Sequence, residues 1–189
     1  MAITDDQRRA LNAAMDKYAD GDEAAFGEIY DLLSPSLLRY FTSKLRDQAR
    51  AEDLVQQTLL QLHVARRNYK RGTDVMPWAF AIGRNVMTDA FRKTRKEVLP
   101  INPDAFEATI NRAMERESIP DDLAVTKQTL AKMREVYEEL PESQRTPYEL
   151  INGQDLSVSE CAEVLGISDN AVKLRIHRVY EALRGVFKS

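Results

Sequence analysis

The sequence predicts an all-α protein made of two small helical domains joined by a linker. The chain has 189 residues, of which 43% are apolar and only seven are glycine. Its apolar residues recur at helical spacing, and no long run alternates with the two-residue period of a strand. Prolines and acidic residues interrupt that spacing in the middle of the chain. We therefore assign a lead-in helix to 1–20, a first domain to 21–97, a linker to 98–126 and a second domain to 127–189.

The charge pattern narrows the possible functions. The net charge of −3 argues against bulk attraction to nucleic acid, which depends on neutralising phosphates. Cations nevertheless cluster at 66–71, 84–96 and 173–184, which indicates DNA binding that needs help or release from a partner. The single Cys161 cannot form an internal disulfide, and we find no signal peptide and no apolar run long enough to cross a bilayer. We expect a cytoplasmic protein without membrane insertion.

The first domain opens with a series of amphipathic helices. The lead-in helix carries no motif to which we assign a role. Residues 23–33 form one apolar stripe, and Ser34 with Pro35 predicts the end of this helix and the start of the next. A long helix follows at 51–68, and its outer face is acidic and rich in amides. That face comprises Glu52, Asp53, Gln56 and Gln57, for which a solvated surface is the simpler interpretation.

The loop at 68–76 precedes the most basic helix of the first domain. Tyr69, Lys70 and Arg71 lie at its entrance, and Gly72 supplies its turn. Loops between rigid helices often carry binding groups. An aromatic ring beside cations suits single-stranded nucleic acid, because the ring can stack on a base while the cations hold the backbone.

The helix at 77–96 is apolar along one side and cationic along the other. Gly83 lies within it at some cost in helix propensity. The apolar side comprises Trp78, Phe80, Ile82, Val86, Met87, Ala90 and Phe91. The other side comprises Arg84, Asn85, Thr88, Asp89, Arg92, Arg95 and Lys96. A solvated face whose cations complement the helix dipole is the alternative to a binding surface.

The linker separates this helix from the second domain. Pro100, Pro103 and Pro120 punctuate an acidic stretch that has only a weak helical pattern at 106–114. A helix then ends at Pro141, and a short helix follows before the last segment of the chain.

Residues 156–184 carry the most specific local pattern in the sequence. Ser157 and Glu160 form a capping box at a helix start. Gly166 supplies a left-handed stop and Ser168 can cap a second helix, so the turn has the length of a helix-turn-helix. Polar and cationic side chains of that second helix lie where a recognition helix faces the major groove: Asn170, Lys173, Arg175, His177 and Arg178. A plain helical hairpin is the alternative.

No pattern in the chain indicates an enzyme. Cys161 lies on the core face of its helix, where a small apolar filler is the simplest interpretation. His63 and His177 have no carboxylate or cysteine at ligand spacing, so we expect no metal site. We find no phosphate-binding loop, nucleophile motif or acid–base pair, and we expect no catalytic residues and no cofactor.

Together these motifs resemble the sigma factors of bacterial RNA polymerase, and in particular their compact extracytoplasmic-function (ECF) group. The resemblance covers about 21–97 and 127–187. AEDLVQQTLLQL resembles the family's polymerase-docking helix, and WAFAIGRNVMTDAFRKTRK resembles its promoter-melting and minus-ten segment. LPESQR followed by LSVSECAEVLGISDNAVKLRIHRVYEALR resembles its minus-thirty-five reader. Departures from residues common in the family leave the promoter sequence open: Asn170, Ala171, Leu174, Val179 and Tyr180.

The resemblance implies a sigma factor that binds core RNA polymerase and directs initiation at specific promoters, with sigma region 2 in the first domain and sigma region 4 in the second. The residues facing the polymerase clamp would be Glu52, Asp53, Gln56 and Gln57. Those that open and recognise minus-ten DNA would be Tyr69, Lys70, Arg71, Gly72, Thr73, Asp74, Arg84, Asn85, Arg92, Lys93, Arg95 and Lys96. Those at the minus-thirty-five element would be Ser168, Asn170, Lys173, Arg175, His177 and Arg178. The resemblance also implies an anti-sigma factor that covers these surfaces.

Two other interpretations stay open from the sequence. A free-standing helix-turn-helix regulator, with an N-terminal sensor or dimerisation module, would bind a duplex operator tightly without polymerase. A sigma factor would show almost no such binding by itself. A helical adaptor that binds only protein would leave both basic faces unexplained.

Overall fold

The computed structural model describes residues 3–45, 47–94, 103–115 and 126–187. Over these ranges the chain forms α-helices, two short 3-10 turns and no strand, which confirms the all-α prediction. The helices belong to two compact units, 1–99 and 100–189. In the ranges that the structure describes, no helix is both long enough and apolar enough to span a membrane.

The described part of the first unit contains four α-helices: α1 (Asp5–Ala19), α2 (Phe26–Lys44), α3 (Gln48–Ala65) and α4 (Val75–Thr94). Thr4 begins α1 with a capping box, and Asp47 caps α3 by accepting a hydrogen bond from the Arg50 N–H. Helices that follow one another in the chain pack together, and α1 also contacts α4. Their shared interior is fully buried and includes Leu11, Met15, Ile29, Leu33, Leu37, Phe41, Leu62 and Phe80.

Helix α2 continues through Pro35, so the predicted stop at Ser34 and Pro35 was wrong. A proline inside a helix removes a backbone hydrogen bond and costs about 3 kcal/mol. The apolar stripe is unbroken on both sides of it, since Leu33 and Leu37 are completely buried. Burying such side chains contributes about 1.5–3 kcal/mol each, which offsets the proline. The apolar residues on both sides of Pro35 were expected to be buried, but the sequence prediction gave the proline more weight than that burial.

Helix α4 buries only part of the predicted apolar side, because Phe80 and Met87 are buried as expected while its other members are not. Met76, Phe80, Gly83 and Met87 face the core. A Cβ atom at Gly83 would lie only 3.1 Å from the Phe41 ring, so the missing side chain lets the helices approach closely. The expected inward stripe is only half-buried at Trp78, Ile82, Val86, Ala90 and Phe91.

The described part of the second unit contains α5 (Pro103–Glu115), α6 (Lys127–Glu139), α7 (Glu142–Gln154), α8 (Val158–Leu165) and α9 (Asp169–Gly185). Helix α7 is central, because it packs against α5, α8 and α9. Aromatic rings continue through the interior, with ring centroids 5.7 Å apart between Tyr137 and Tyr148 and 5.4 Å apart between Tyr148 and Tyr180. Burial raises the pKa of both Tyr137 and Tyr148.

Helix α5 lies within the segment assigned to the linker, yet it belongs to the second unit. Its Phe106, Ile110 and Ala113 are buried. Arg112 donates a hydrogen bond to the Gly153 carbonyl oxygen at 2.5 Å, which ties α5 to the end of α7. The sequence prediction differed because it treated the prolines as breakers, whereas a proline at the first helical position, as in α5, is favourable.

Candidate nucleic-acid interface

Helices α8 and α9 form the predicted helix-turn-helix. The capping box is present, with the Ser157 N–H donating to Glu160 Oε2 at 2.7 Å and the Glu160 N–H donating to Ser157 Oγ at 3.2 Å. Gly166 ends α8 with a left-handed φ of 63°. Ser168 Oγ then accepts a hydrogen bond from the Ala171 N–H at 3.2 Å. Ser168 therefore fixes the direction in which α9 begins.

Helix α9 is buried on one side and exposed on the other. The exposed side carries Asn170, Lys173, His177 and Arg178, where the sequence placed them. Arg175 differs, because it is half-buried beside α8. Burial raises the pKa of the Cys161 thiol on α8 to about 12, and the Arg175 charge opposes that rise by a smaller amount. The buried side of α9 comprises Val172, Ile176, Val179 and Leu183.

Leu174 is an exposed apolar residue on the recognition helix that the sequence analysis left without a role. Leu174 is 52% exposed, on the same side of α9 as His177 and Arg178. An apolar side chain at that place can contact the methyl group of thymine. The signal in the sequence was an apolar residue that falls outside the buried stripe of α9.

The loop of the first unit, residues 69–74, is a tight turn built around Gly72. Gly72 has a φ of 71°, and the Thr73 N–H donates to the Lys70 carbonyl oxygen at 3.2 Å. The Tyr69 hydroxyl donates to the Thr73 carbonyl oxygen at 2.5 Å. The Tyr69 ring is only 7% exposed and packs against Trp78. Tyr69 thus supports the turn from inside, and its ring has no open face on which a base could stack.

Two charged side chains of the loop form ion pairs with α1 and with Asp20, the residue that follows it. Asp74 caps α4 by accepting a hydrogen bond from the Met76 N–H at 2.9 Å, and its second oxygen lies 2.5 Å from Arg8 Nε. Arg71 forms an ion pair with Asp20, and both side chains remain largely exposed. An exposed pair of this kind contributes little, so Arg71 can exchange its partner for a phosphate, whereas Asp74 is held within the protein.

A groove of about 700 Å³ lies between α3 and α4. Its rim carries Asp53 and Gln57 from α3 and Asn85 from α4. Apolar side chains also line the groove, among them Leu54, Ile82 and Val86. Asn85 follows the start of α4 by ten residues, which is about 15 Å of helix rise. A strand that contacts both Asn85 and the loop would therefore run along α4. The groove also brings Asn85 together with Asp53 and Gln57, two of the predicted polymerase-facing residues.

The predicted polymerase-facing residues are all exposed on α3: Glu52, Asp53, Gln56 and Gln57. The structure adds two apolar side chains further along the same helix, Leu60 at 59% and Val64 at 65% exposure. They are four residues apart and therefore share one face of the helix. Sequence analysis overlooked them, although both fall outside the inward stripe of α3. The exposed face of α3 thus carries apolar as well as polar side chains.

The structure describes the side chains of two of the cations expected on α4, Arg84 and Arg92. Arg84 is half-buried, and Arg92 is exposed beside Asp89, with 3.2 Å between the Arg92 Nη2 and Asp89 Oδ1 atoms. The Lys93 side chain and the whole of Arg95 and Lys96 lie outside the described residues. The phosphate-binding role expected of these last three therefore stays a prediction from the sequence.

The histidines occupy separate environments. His63 Nδ1 contacts the Tyr18 hydroxyl, while His177 lies on the exposed side of α9. Within the described parts of the chain, no group of His, Cys, Asp and Glu side chains is arranged to hold a metal ion.

Comparison with known proteins identifies two family models in the chain. Residues 29–97 match sigma-70 region 2, and residues 130–183 match sigma-70 region 4. The chain is 30% identical to the RNA polymerase sigma factor CarQ of Myxococcus xanthus, over 90% of this chain and 93% of that protein. It is also 30% identical to the ECF RNA polymerase sigma factor SigF of Caulobacter vibrioides, over 96% of this chain and 95% of that protein. A solved structure of CnrH in complex with the cytosolic domain of CnrY has a similar fold, with a TM-score of 0.63 and 22% identity over 95% of this chain and 97% of that one.

Proposed function

Because the chain belongs to the ECF group of bacterial RNA polymerase sigma factors, we propose that its two units perform the two halves of promoter recognition. It is a sigma factor, which binds core RNA polymerase and directs initiation at specific promoters. The observation that carries this assignment is the presence of both matched regions, in order, on one chain. Region 2 occupies the place that a free-standing regulator would need for a sensor or dimerisation module, so that alternative is not favoured.

In the second unit, we propose that α9 enters the major groove of the minus-thirty-five element. Ser168 sets the direction of the helix, and the exposed polar residues Asn170, Lys173, His177 and Arg178 divide between base edges and phosphates. Phosphate contacts fix the position of the helix, whereas base contacts specify the sequence. Arg175, which is half-buried, has less reach and would contact a phosphate at the border of the groove.

In the first unit, we propose that α4 and the preceding loop hold the opened minus-ten strand. Lys70 and Arg71 project from the loop, and Asn85 supplies an amide that can bond a base extruded from the stack. Extruding a base costs a few kcal/mol, and least where the duplex is already open. Bonds to that base offset the cost, so that strand opening and recognition become one step. The phosphates of the strand would be held by Arg84, Arg92, Lys93, Arg95 and Lys96.

We propose that polymerase docks on α3, where four polar side chains lie beside the exposed Leu60 and Val64. An anti-sigma factor would compete with polymerase for this face of α3. The groove lies between that face and Asn85, so one bound protein could cover the polymerase-docking residues and Asn85 together. Co-purification from native cells tests this, and recovery of polymerase alone would count against it. The polymerase supplies the chemistry of transcription, so we propose that this chain has no catalytic residue and acts in the cytoplasm.

Transcription with purified core polymerase and a library of random promoters tests the function. The chain should produce start sites that depend on core polymerase, and by itself it should not bind duplex DNA tightly. Asn85→Ala should reduce the reactivity of unpaired thymines to permanganate in the minus-ten region. Thr88→Ala, an exposed neighbour on α4, should leave that reactivity unchanged. Tight operator binding without polymerase would instead support the free-standing regulator.

A further inference from the structure

Helix α1 supplies hydrogen-bond acceptors to the loop that precedes α4. Asp16 Oδ1 accepts a hydrogen bond from the Gly72 N–H at 3.2 Å, and Asn12 Oδ1 accepts one from the Val75 N–H at 3.0 Å. Asn12 and Asp16 are four residues apart, so they lie on one face of α1 and one turn from each other. The two bonds span 56 and 63 residues of sequence and join the lead-in helix to the turn itself and to the first residue of α4.

The buried Val75 N–H needs an acceptor from outside the loop. Val75 is completely buried and is the first residue of α4, so its N–H has no acceptor within the helix. A buried N–H without a partner is strongly unfavourable. The Asp16 carboxylate also lies close enough to Tyr69 to raise the pKa of that phenol, after the larger effect of burial. Asp16 thus accepts a hydrogen bond from Gly72 and lies near the phenol of Tyr69.

Arg8 extends the same row by one more turn. Its Nε lies 2.5 Å from Asp74 Oδ2, and both side chains are partly buried. Asp74 uses its other oxygen to cap α4. One face of α1 therefore holds the end of the loop through an ion pair as well as two hydrogen bonds.

We propose that α1 is a positioning element for base selection at the minus-ten element, with Asn12 and Asp16 as the positioning residues. The inference rests on the proposed function of the loop. Asn12 and Asp16 hold the loop in one conformation before DNA arrives, so the unpaired strand meets a surface that is already formed. Ordering a loop on binding lowers affinity and blurs the difference between correct and incorrect bases, and preorganisation removes that loss. Neither residue needs to touch DNA.

The first test uses the free, full-length protein and needs no polymerase. In Asn12→Ala and Asp16→Ala, amide hydrogen exchange at Val75 and Gly72 respectively should become roughly fivefold faster, the effect of losing one typical hydrogen bond. Exchange in the second unit should not change. Equal exchange at Gly72 and Val75 in wild type and both variants would overturn the inference.

The second test measures base preference in transcription with core polymerase from promoters randomised in the minus-ten element. Both alanine variants should flatten the preference at one or more minus-ten positions by roughly tenfold, within the range expected for one base contact. The minus-thirty-five preference and the affinity for core polymerase should stay at wild-type values. A variant that was only less stable would instead lose both of these together with the minus-ten preference. Asp16→Asn retains an acceptor oxygen without the charge and should restore the preference.

Asp6→Asn is the matched control, because Asp6 is an exposed acid of α1 that pairs with Arg9 on the same helix. It should behave as wild type. A parallel loss of minus-ten preference, minus-thirty-five preference and core affinity in the alanine variants would overturn the inference, as would an Asp16→Asn variant as defective as Asp16→Ala. If wild type produced no core-dependent transcripts, the proposed function would fail, while the exchange experiment would still decide whether α1 holds the loop.

Discussion

Replacing Phe106 by alanine should release α5 from the second unit. Phe106 is 4% exposed, and its ring centroid lies 5.0 Å from that of Tyr137. Truncation of a buried phenylalanine costs about 3–5 kcal/mol. A unit of this size has a total stability of about 5–13 kcal/mol, so the loss is a large part of what holds one helix in place. Ile110 and Ala113 would remain as the buried apolar residues of the docked face.

Amide hydrogen exchange in the full-length chain measures this release. A loss of about 3 kcal/mol corresponds to roughly a hundredfold change in the opening equilibrium, so amides of α5 should exchange roughly a hundredfold faster. Amides of α8 and α9 should change much less. Glu107→Ala, an exposed neighbour on α5, is the matched control and should retain protection. Equal protection of α5 in wild type and Phe106→Ala would refute the packing argument.

The same substitution should alter promoter spacing. With α5 docked, the tether between α4 and the second unit is residues 95–102, which span at most about 30 Å. With α5 released, the chain from 95 to 126 can span at most about 110 Å, compared with about 70 Å for DNA sites two turns apart. Phe106→Ala should therefore broaden the range of spacer lengths from which the protein initiates. Identical spacer preference for both proteins would show that α5 docking does not limit the tether.

Three further predictions concern the second unit. Burial raises the pKa of the Cys161 thiol from 9.0 to about 12 and also raises that of Tyr148 above 10.0, so the folded state keeps protons that the unfolded chain releases. The free energy of unfolding should be constant near neutral pH and fall above pH 9, as measured by denaturant titration, and Cys161→Ala should delay the start of that fall. Gly166→Ala should lower the free energy of unfolding by about 1–2 kcal/mol because of its positive φ, whereas Gly27→Ala, with open space around it, should not be destabilising. Arg178→Ala should weaken holoenzyme binding to minus-thirty-five DNA and reduce the salt dependence by about one counterion, with the thermal midpoint of the free protein unchanged.

Local patterns predicted the second unit well where the interacting groups are close in sequence. The capping box joins Ser157 to Glu160, and Gly166 carries the left-handed conformation that ends α8. Each of these features depends on only a few consecutive residues. The helical spacing that begins at Ser168 also predicted which residues of α9 are exposed. Arg175 is the exception, because it is half-buried and its environment depends on the neighbouring helix α8.

The sequence patterns gave wrong helix boundaries at two prolines, where burial in the folded protein keeps the chain helical. Pro35 lies inside α2 because the leucines on both sides of it are buried against other helices. Pro103 begins α5, which is stable on the second unit because Phe106 meets Tyr137. Pro35 is unfavourable inside its helix, whereas Pro103 at the first helical position is favourable. In both places the burial that keeps the helix comes from surfaces that only the fold brings together.

The sequence by itself determined that the chain is helical, where its helix-turn-helix lies and to which family it belongs, because periodicity, capping and turn chemistry are properties of neighbouring residues. Only the tertiary structure showed that Tyr69 supports the loop from inside, that Asn85 shares a groove with Asp53 and that Asn12 bonds the start of α4. The bond from Asn12 crosses 63 residues. No local pattern encodes such a contact, since it exists only when packing has placed the two helices side by side.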